Sequence, residues 1–375
     1  MTPSDPDARP APPDAPPAPV ASPDPVAPAA EGGAVPAHPA AAPPDANGTG
    51  GAADDLAPQT DLGPLADAVD RLRAEVGKLV VGQGAFVDEV IAAILAGGHV
   101  LIEGVPGVAK TLTAKLVARA SGLDYSRIQF TPDLMPADVI GTSVFSPKTG
   151  EFSFHRGPIF AQVVLIDEIN RAPAKTQAAL FETMEERQAT VDGTTYPMPS
   201  PFVVLATQNP IEHEGTYRLP EAQLDRFLFK VLVGYPSLDE EAEILRQFQD
   251  HGGRVDLERV GPVLTADEVE AARAAVRAVR VAPPVLRYAA EIVSATRTHP
   301  ALSLGASPRA SLALVTGAKA VAAMSGRDFA TPDDVAAVAA PALRHRVLLT
   351  PEREIEGVRP ETVLQRIVAE VEVPR

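Results

Sequence analysis

HVLIEGVPGVAKT, running from His99 to Thr111, decides the fold. Its first part, His99–Glu103, is a short apolar run with strand character, and a glycine-containing loop follows at once. Gly104, Val105, Pro106, Gly107, Val108, Ala109, Lys110 and Thr111 form that loop, and Thr111–Ala120 continues with helical character. A strand, such a loop and a helix start together make a phosphate cradle. Glycines let backbone N–H groups face phosphate oxygens, and the helix N-terminus adds the positive end of its dipole. In this reading Lys110 reaches the β- and γ-phosphates and the Thr111 hydroxyl binds Mg2+. Ala109 stands where the strict pattern has glycine. A methyl group is small, so the loop is expected to tolerate it.

Working outward, VVLIDE at Val163–Glu168 is an apolar strand ending in two carboxylates. A strand end would hold Asp167 rigidly in the Mg2+ shell, and Glu168 would polarise an attacking water. Read alone, both acids could merely cap a following helix. Three further apolar runs, Arg127–Phe130, Phe202–Ala206 and Phe227–Val233, alternate with helical stretches. Continuous apolar strands with intervening helices predict a five-stranded parallel sheet covered on both faces. Ahead of it, Leu65, Val69, Leu72, Val76, Leu79 and Val80 recur at helical spacing.

After about Tyr235 the strands stop. Ser237–Glu240 and Thr265–Glu268 are capping boxes, and Thr331-Pro332-Asp333-Asp334 pairs an N-cap with proline at the first helical position. Gly326 reads as a helix stop and Pro360–Val371 as a last helix. The expected organisation is a disordered Pro/Ala-rich tail over 1–61, an α/β nucleotide-binding core over 62–235 and an all-helical lid over 236–375. The tail lacks the apolar residues that could offset its ordering entropy.

The 375 residues carry a net charge of −16 and no cysteine. Disulfides, Cys-ligated metal sites and a Cys nucleophile are excluded, which fits a cytoplasmic protein. The apolar stretch Val90–Val108 is broken by His99 and Glu103, so no membrane span is expected. The acidic balance weighs against a broad nucleic-acid footprint. The seven histidines are scattered, and no zinc site is expected.

With the phosphate loop GVPGVAKT (Gly104–Thr111) stand LIDEINRAP (Leu165–Pro173), ATQNP (Ala206–Pro210), EGTYRLPEAQLDRF (Glu214–Phe227) and GASPRA (Gly305–Ala310). With these motifs the chain, from about Leu62 onward, resembles the AAA+ ATPases and, within them, the MoxR family. One departure is His213, where the resemblance leads us to expect glutamine. The resemblance implies ATP and Mg2+ as cofactors, with Lys110, Thr111 and Asp167 as their holders and Glu168 as the water-activating residue. It implies that Asn209 is a sensor orienting the water, and that Arg226 is an arginine finger given to a neighbouring subunit. Arg309 would be a second sensor on the lid, closing over the nucleotide. Gly82 and Gln83, in Val81-Gly82-Gln83, would line the adenine pocket, and Arg171 could reach a subunit boundary.

The implied partners are a homo-oligomeric ring, a hexamer, a client protein complex and a von Willebrand factor A domain protein. The implied role is chaperone-like remodelling of the client. A nucleic-acid-associated motor and a nucleotide-gated assembly module stand as alternatives. Two insertions also match this branch: a hairpin over Val144–Phe160, with Phe152 and Phe154 on one face, and a second over Thr190–Pro199 turning at Asp192-Gly193. The phenylalanines could grip a client or could form satellite core.

Overall fold

The structure is a computed structural model, and it describes residues 60–209, 217, 219–250, 252, 254 and 256–374. Nearly all of the expected tail, His213 and part of the Glu214–Phe227 segment lie outside the described residues.

Two helices lead into the sheet, α1 (Gly63–Gly77) and α2 (Gly84–Ala96). The helical spacing noted from Leu65 to Val80 runs past the helix itself. Val69, Leu72 and Val76 are buried, but α1 stops at Gly77, and Leu79 and Val80 follow it as irregular chain. Next come β1 (His99–Gly104), α3 (Lys110–Ala120), β2 (Tyr125–Gln129) and the short α4 (Pro136–Ile140). The first hairpin is β3 (Gly141–Ser146) and β4 (Glu151–Arg156). After it run β5 (Val163–Asp167) and α5 (Ala174–Glu186), then the second hairpin, β6 (Gln188–Val191) and β7 (Thr194–Pro197). β8 (Val203–Gln208), α6 (Glu221–Leu224) and β9 (Phe227–Val233) complete this part.

The main sheet has five strands in the order β2-β5-β8-β1-β9, all parallel. Its apolar runs are continuous because neighbours along each strand enter different cores. Val100, Ile102, Val163, Leu165, Val203 and Leu205 face one hydrophobic cluster; Leu101, Val164, Ile166, Val204 and Ala206 face the other. With a side-chain period of two and both faces covered, the buried polar residues of these strands, His99, Asp167 and Thr207, lie at or next to strand ends.

The remainder is helical: α7 (Leu238–Asp250), α8 (Ala266–Ala278), α9 (Pro283–Thr298), α10 (Pro308–Met324), α11 (Pro332–Leu343), α12 (Pro351–Ile355) and α13 (Pro360–Glu370). Four strands of two or three residues pair within it: β10 (Arg280–Val281) with β12 (Phe329–Ala330), and β11 (Leu302–Leu304) with β13 (Leu348–Leu349). The Thr265 and Thr331 side chains accept from the Glu268 and Asp334 N–H groups, and each acid reaches back to its threonine N–H at 2.8 Å. These reciprocal caps satisfy donors that the helix starts would otherwise leave orphaned.

These helices do not stand apart from the sheet. A methyl group added at Gly317 of α10 would lie 2.8 Å from the Phe229 ring on β9. Ala313, Leu314, Ala318, Val335 and Val338 share one hydrophobic cluster with Val100 and Phe229. Small residues on α10 let the helix backbone approach the sheet, so burial of Phe229 ties the two parts together.

Candidate nucleotide site

The loop after β1 turns through two left-handed residues, Gly107 at φ 87° and Ala109 at φ 57°. A Cβ on Gly107 would meet nothing within 4 Å, so the loop presents open backbone where phosphates would sit. α3 starts at Lys110, which puts the positive end of its dipole at the same place. The Lys110 ammonium folds back onto the Gly104 carbonyl.

Asp167 ends β5 beside this helix start. The Thr111 hydroxyl lies 3.3 Å from the Asp167 carboxylate, a hydroxyl and a carboxylate set together as a Mg2+ shell requires. Oxygen donors fit this hard cation, and Asp167 is almost fully buried.

Three residues with no role assigned from the sequence hold these carboxylates. The Thr207 hydroxyl donates to Asp167 at 2.9 Å and accepts the Glu168 N–H at 3.0 Å. The Arg127 guanidinium donates to Asp167 at 2.7 Å, and the Gln129 amide donates to Glu168 at 2.7 Å. Arg127 and Gln129 point the same way from β2, where Gln129 lies opposite Asp167. Polar residues at i and i+2 in a strand otherwise expected to be buried were the available signal. Arg171 pairs with Glu168, three residues before it, at 3.1 Å. Glu168 itself is left-handed, φ 58°. Asn209 follows Gln208, which is paired with Glu103, and so comes level with the start of the loop.

A cavity of about 170 Å³ adjoins the loop, lined by Val80, Val81, Gln83, Leu112, Ile244 and Phe248 among others. The Gln83 amide donates to the Val108 carbonyl at 2.7 Å, fastening the 79–83 segment to the loop. Gly82 packs against α7: a Cβ there would lie 2.4 Å from the Glu240 carboxyl carbon. Arg259, which sequence reading did not single out, also lines the cavity, with one guanidinium nitrogen buried and unpaired.

Arg226 and Arg309 are not brought to this site. Both pair with the Glu185 carboxylate at the end of α5, Arg309 at 2.8 Å. Gly97, Gly98 and His99 line the same recess, which is the opposite end of β1 from the phosphate loop. A six-residue strand spans about 17 Å. Closure of Arg309 over its own chain's loop, the arrangement expected from the resemblance, is therefore not what the structure has. α10 is packed on β9 and α2, which carries Arg309 to the far end of the sheet.

Comparison with known proteins agrees with this architecture. The family model described as ATPase family associated with various cellular activities (AAA) matches residues 99–229, and the AAA lid domain model matches 294–367. Chaperone MoxR1 of Mycobacterium tuberculosis is 45% identical over 82% of this chain and 82% of its own. The chain belongs to the MoxR family of AAA+ ATPases. YeaC of Bacillus subtilis, an uncharacterized protein, is 45% identical over 85% of this chain and 98% of its own. A solved structure of a proposed ATPase from Cytophaga hutchinsonii is 39% identical, with TM-score 0.76, over 83% of this chain and 96% of that one. Among the described residues, no helix is long and apolar enough to cross a membrane.

Proposed function

We propose that this MoxR-family protein hydrolyses ATP in a Mg2+-dependent reaction whose site is completed by a neighbouring copy of the chain. The observation that carries this is the separation within one chain. The carboxylates and phosphate loop lie at one end of β1, and two arginines share Glu185 at the other. Arginine near the transferred phosphoryl group is what neutralises its developing charge, and one chain cannot supply it to itself across the sheet.

Lys110, Thr111 and Asp167 hold the nucleotide and its metal, and Gln83 with the 79–83 segment encloses the base. Bound Mg2+ supplies charge neutralisation to the phosphate oxygens. Glu168 accepts the proton of the attacking water, whose oxygen forms the new bond to the γ-phosphorus as the bond to the bridging oxygen breaks. Asn209 orients that water. Arg226 and Arg309 act on the adjacent protomer's site, in a ring we take to be a hexamer.

The work done is remodelling of a client protein complex. This rests on kinship with a relative named a chaperone and on the family resemblance, which also implies a von Willebrand factor A domain partner; a cytoplasmic setting fits a chain with no cysteine. The net charge of −16 disfavours nucleic acid as the object. The test is ATP turnover per protomer against protein concentration, for the intact chain and for Arg226→Ala. Turnover is expected to rise with concentration and to fall by 10³-fold or so in the variant, with ATP binding retained. Concentration-independent turnover that survives Arg226→Ala would overturn the shared site.

A further inference from the structure

The segment that carries Arg226 is gripped from the helical part of the molecule. Arg346, just beyond α11, is almost completely buried, with its side chain 4% exposed. A guanidinium has five N–H donors, and all five of Arg346 are used. Its Nε donates to the Asp225 carboxylate at 2.6 Å, and Nη2 donates to the Asp225 and Phe227 carbonyls at 3.0 and 2.7 Å. Nη1 donates to the Leu228 carbonyl at 3.2 Å and to the Ala342 carbonyl on α11 itself. The residues on both sides of Arg226 are thus fixed to one side chain. Two neighbours reinforce the grip. The Ser307 hydroxyl, at the start of α10, donates to the other Asp225 oxygen at 3.0 Å, and His345 Nε2 donates to the Phe227 carbonyl at 3.0 Å.

Arg226 by contrast is held lightly at its tip. It donates to the Phe181 carbonyl at 2.7 Å and pairs with Glu185, while its Nε is buried without a partner. Its aim therefore depends on where residues 225–228 place its backbone.

We propose that Arg346 is a positioning residue for the arginine finger. With Asp225 and Ser307 it makes the finger segment and the ends of α10 and α11 one mechanical unit. α10 also carries Arg309, so both arginines given to a neighbour move with the helical part. Any displacement of these helices in one protomer would then re-aim the groups it lends to the next. This inference rests on the shared-site reading above. A misplacement of about 1 Å in such a group can cost 10²-fold in rate.

The experiment uses the full chain and mixed rings. Arg346→Gln alone is expected to lower turnover by about 10²-fold, with ATP affinity within about twofold of the parent. It is then mixed one to one with Glu168→Gln, whose own site is dead but whose finger is intact. Each Arg346→Gln site beside a Glu168→Gln neighbour regains a placed finger, so turnover should recover toward about a quarter of the parent value per protomer in a random ring. Arg226→Ala is mixed with Glu168→Gln in the same way. Rescue of both variants supports the proposal. Rescue of Arg226→Ala without rescue of Arg346→Gln means that Arg346 acts within its own protomer, and overturns it. Failure to rescue Arg226→Ala overturns the shared site itself and takes the proposal with it. Unchanged turnover in Arg346→Gln also overturns it. Should loss of a buried arginine unfold the chain, Asp225→Asn decides, because it keeps the carbonyl contacts and the side-chain shape. It is expected to lose about tenfold and to be rescued by the same mixing, and the absence of either result would refute the proposal.

Discussion

Ala109 adopts a conformation that glycine reaches without strain. Its φ of 57° and ψ of 22° lie in the left-handed region, where a Cβ crowds the following carbonyl. The small methyl makes the loop possible without making it free of strain. Ala109→Gly removes that strain but loosens the unfolded chain, two effects of opposite sign with the first the larger. The expected net gain is about 0.5–1 kcal/mol, seen as a rise of about 1–3 °C in Tm by calorimetry. At Glu185 the logic is electrostatic. One carboxylate pairs with both Arg226 and Arg309, and its side chain is 36% exposed. Partly solvated pairs are weak, so under the proposed shared site Glu185 would release both arginines to a neighbour's phosphate at little cost. The Arg226–Glu185–Arg309 arrangement was invisible in the sequence because the three residues lie far apart along the chain.

At the scale of elements, the two hairpins form one feature. The Phe154 ring of β4 stacks on Tyr196 of β7 with centroids 4.2 Å apart, and Phe160 meets Phe154 edge-on at 5.8 Å. Phe152, paired with Phe145 across the first hairpin, is 73% exposed. The two readings of these phenylalanines thus divide between them, with Phe154 joining the hairpins and Phe152 left to solvent. Turn chemistry for the second hairpin was legible, since Asp192 and Gly193 both take positive φ as a two-residue turn requires. Contact between hairpins was not, because it joins residues over forty positions apart. A double-mutant cycle with Phe154→Ala and Tyr196→Ala, read by urea denaturation, should give a coupling of about 0.5–1.5 kcal/mol. Additive effects would mean that the stack contributes nothing of its own.

For the whole molecule, two buried histidines contribute to the response to acid. His99 donates from Nε2 to the Met184 carbonyl and accepts the Val204 N–H at Nδ1, a pattern only a neutral ring can satisfy. Burial pushes it down to about 4, and burial beside Arg346 holds His345 well below the usual histidine range. In the unfolded chain both titrate near 6.5. The unfolded state therefore takes up protons that the folded state refuses, and stability falls as pH drops from about 6.5 toward 4. For His99 alone the loss reaches on the order of 3 kcal/mol at the acid end. Glu89 works against this slope. Burial raises it to about 7, so its contribution declines as pH rises from its ordinary value through 7. Urea midpoints at pH 4.5 and 7 should show the acid loss, and His99→Gln, which can both donate and accept, should flatten it. An unchanged slope in that variant would mean that the acid limb arises elsewhere.

The local motifs were legible from the order of residues alone. A strand, a glycine loop and Lys110-Thr111 at a helix start are contiguous, and so are the apolar run and the acids Asp167 and Glu168. Their chemistry depends on near neighbours, and period-two burial on both sheet faces left continuous apolar strands that could be recognised. Caps at Thr265 and Thr331 were legible for the same reason, since a capping box closes within one turn. Long-range packing controls the rest. The tertiary structure shows that Thr207 and Arg127 hold Asp167, that Arg346 grips the segment around Arg226, and that Arg309 lies at the far end of β1 from its own phosphate loop. Packing of α10 on Phe229 sets that last result, and it depends on side-chain shape brought together from distant parts of the chain, which no local pattern encodes.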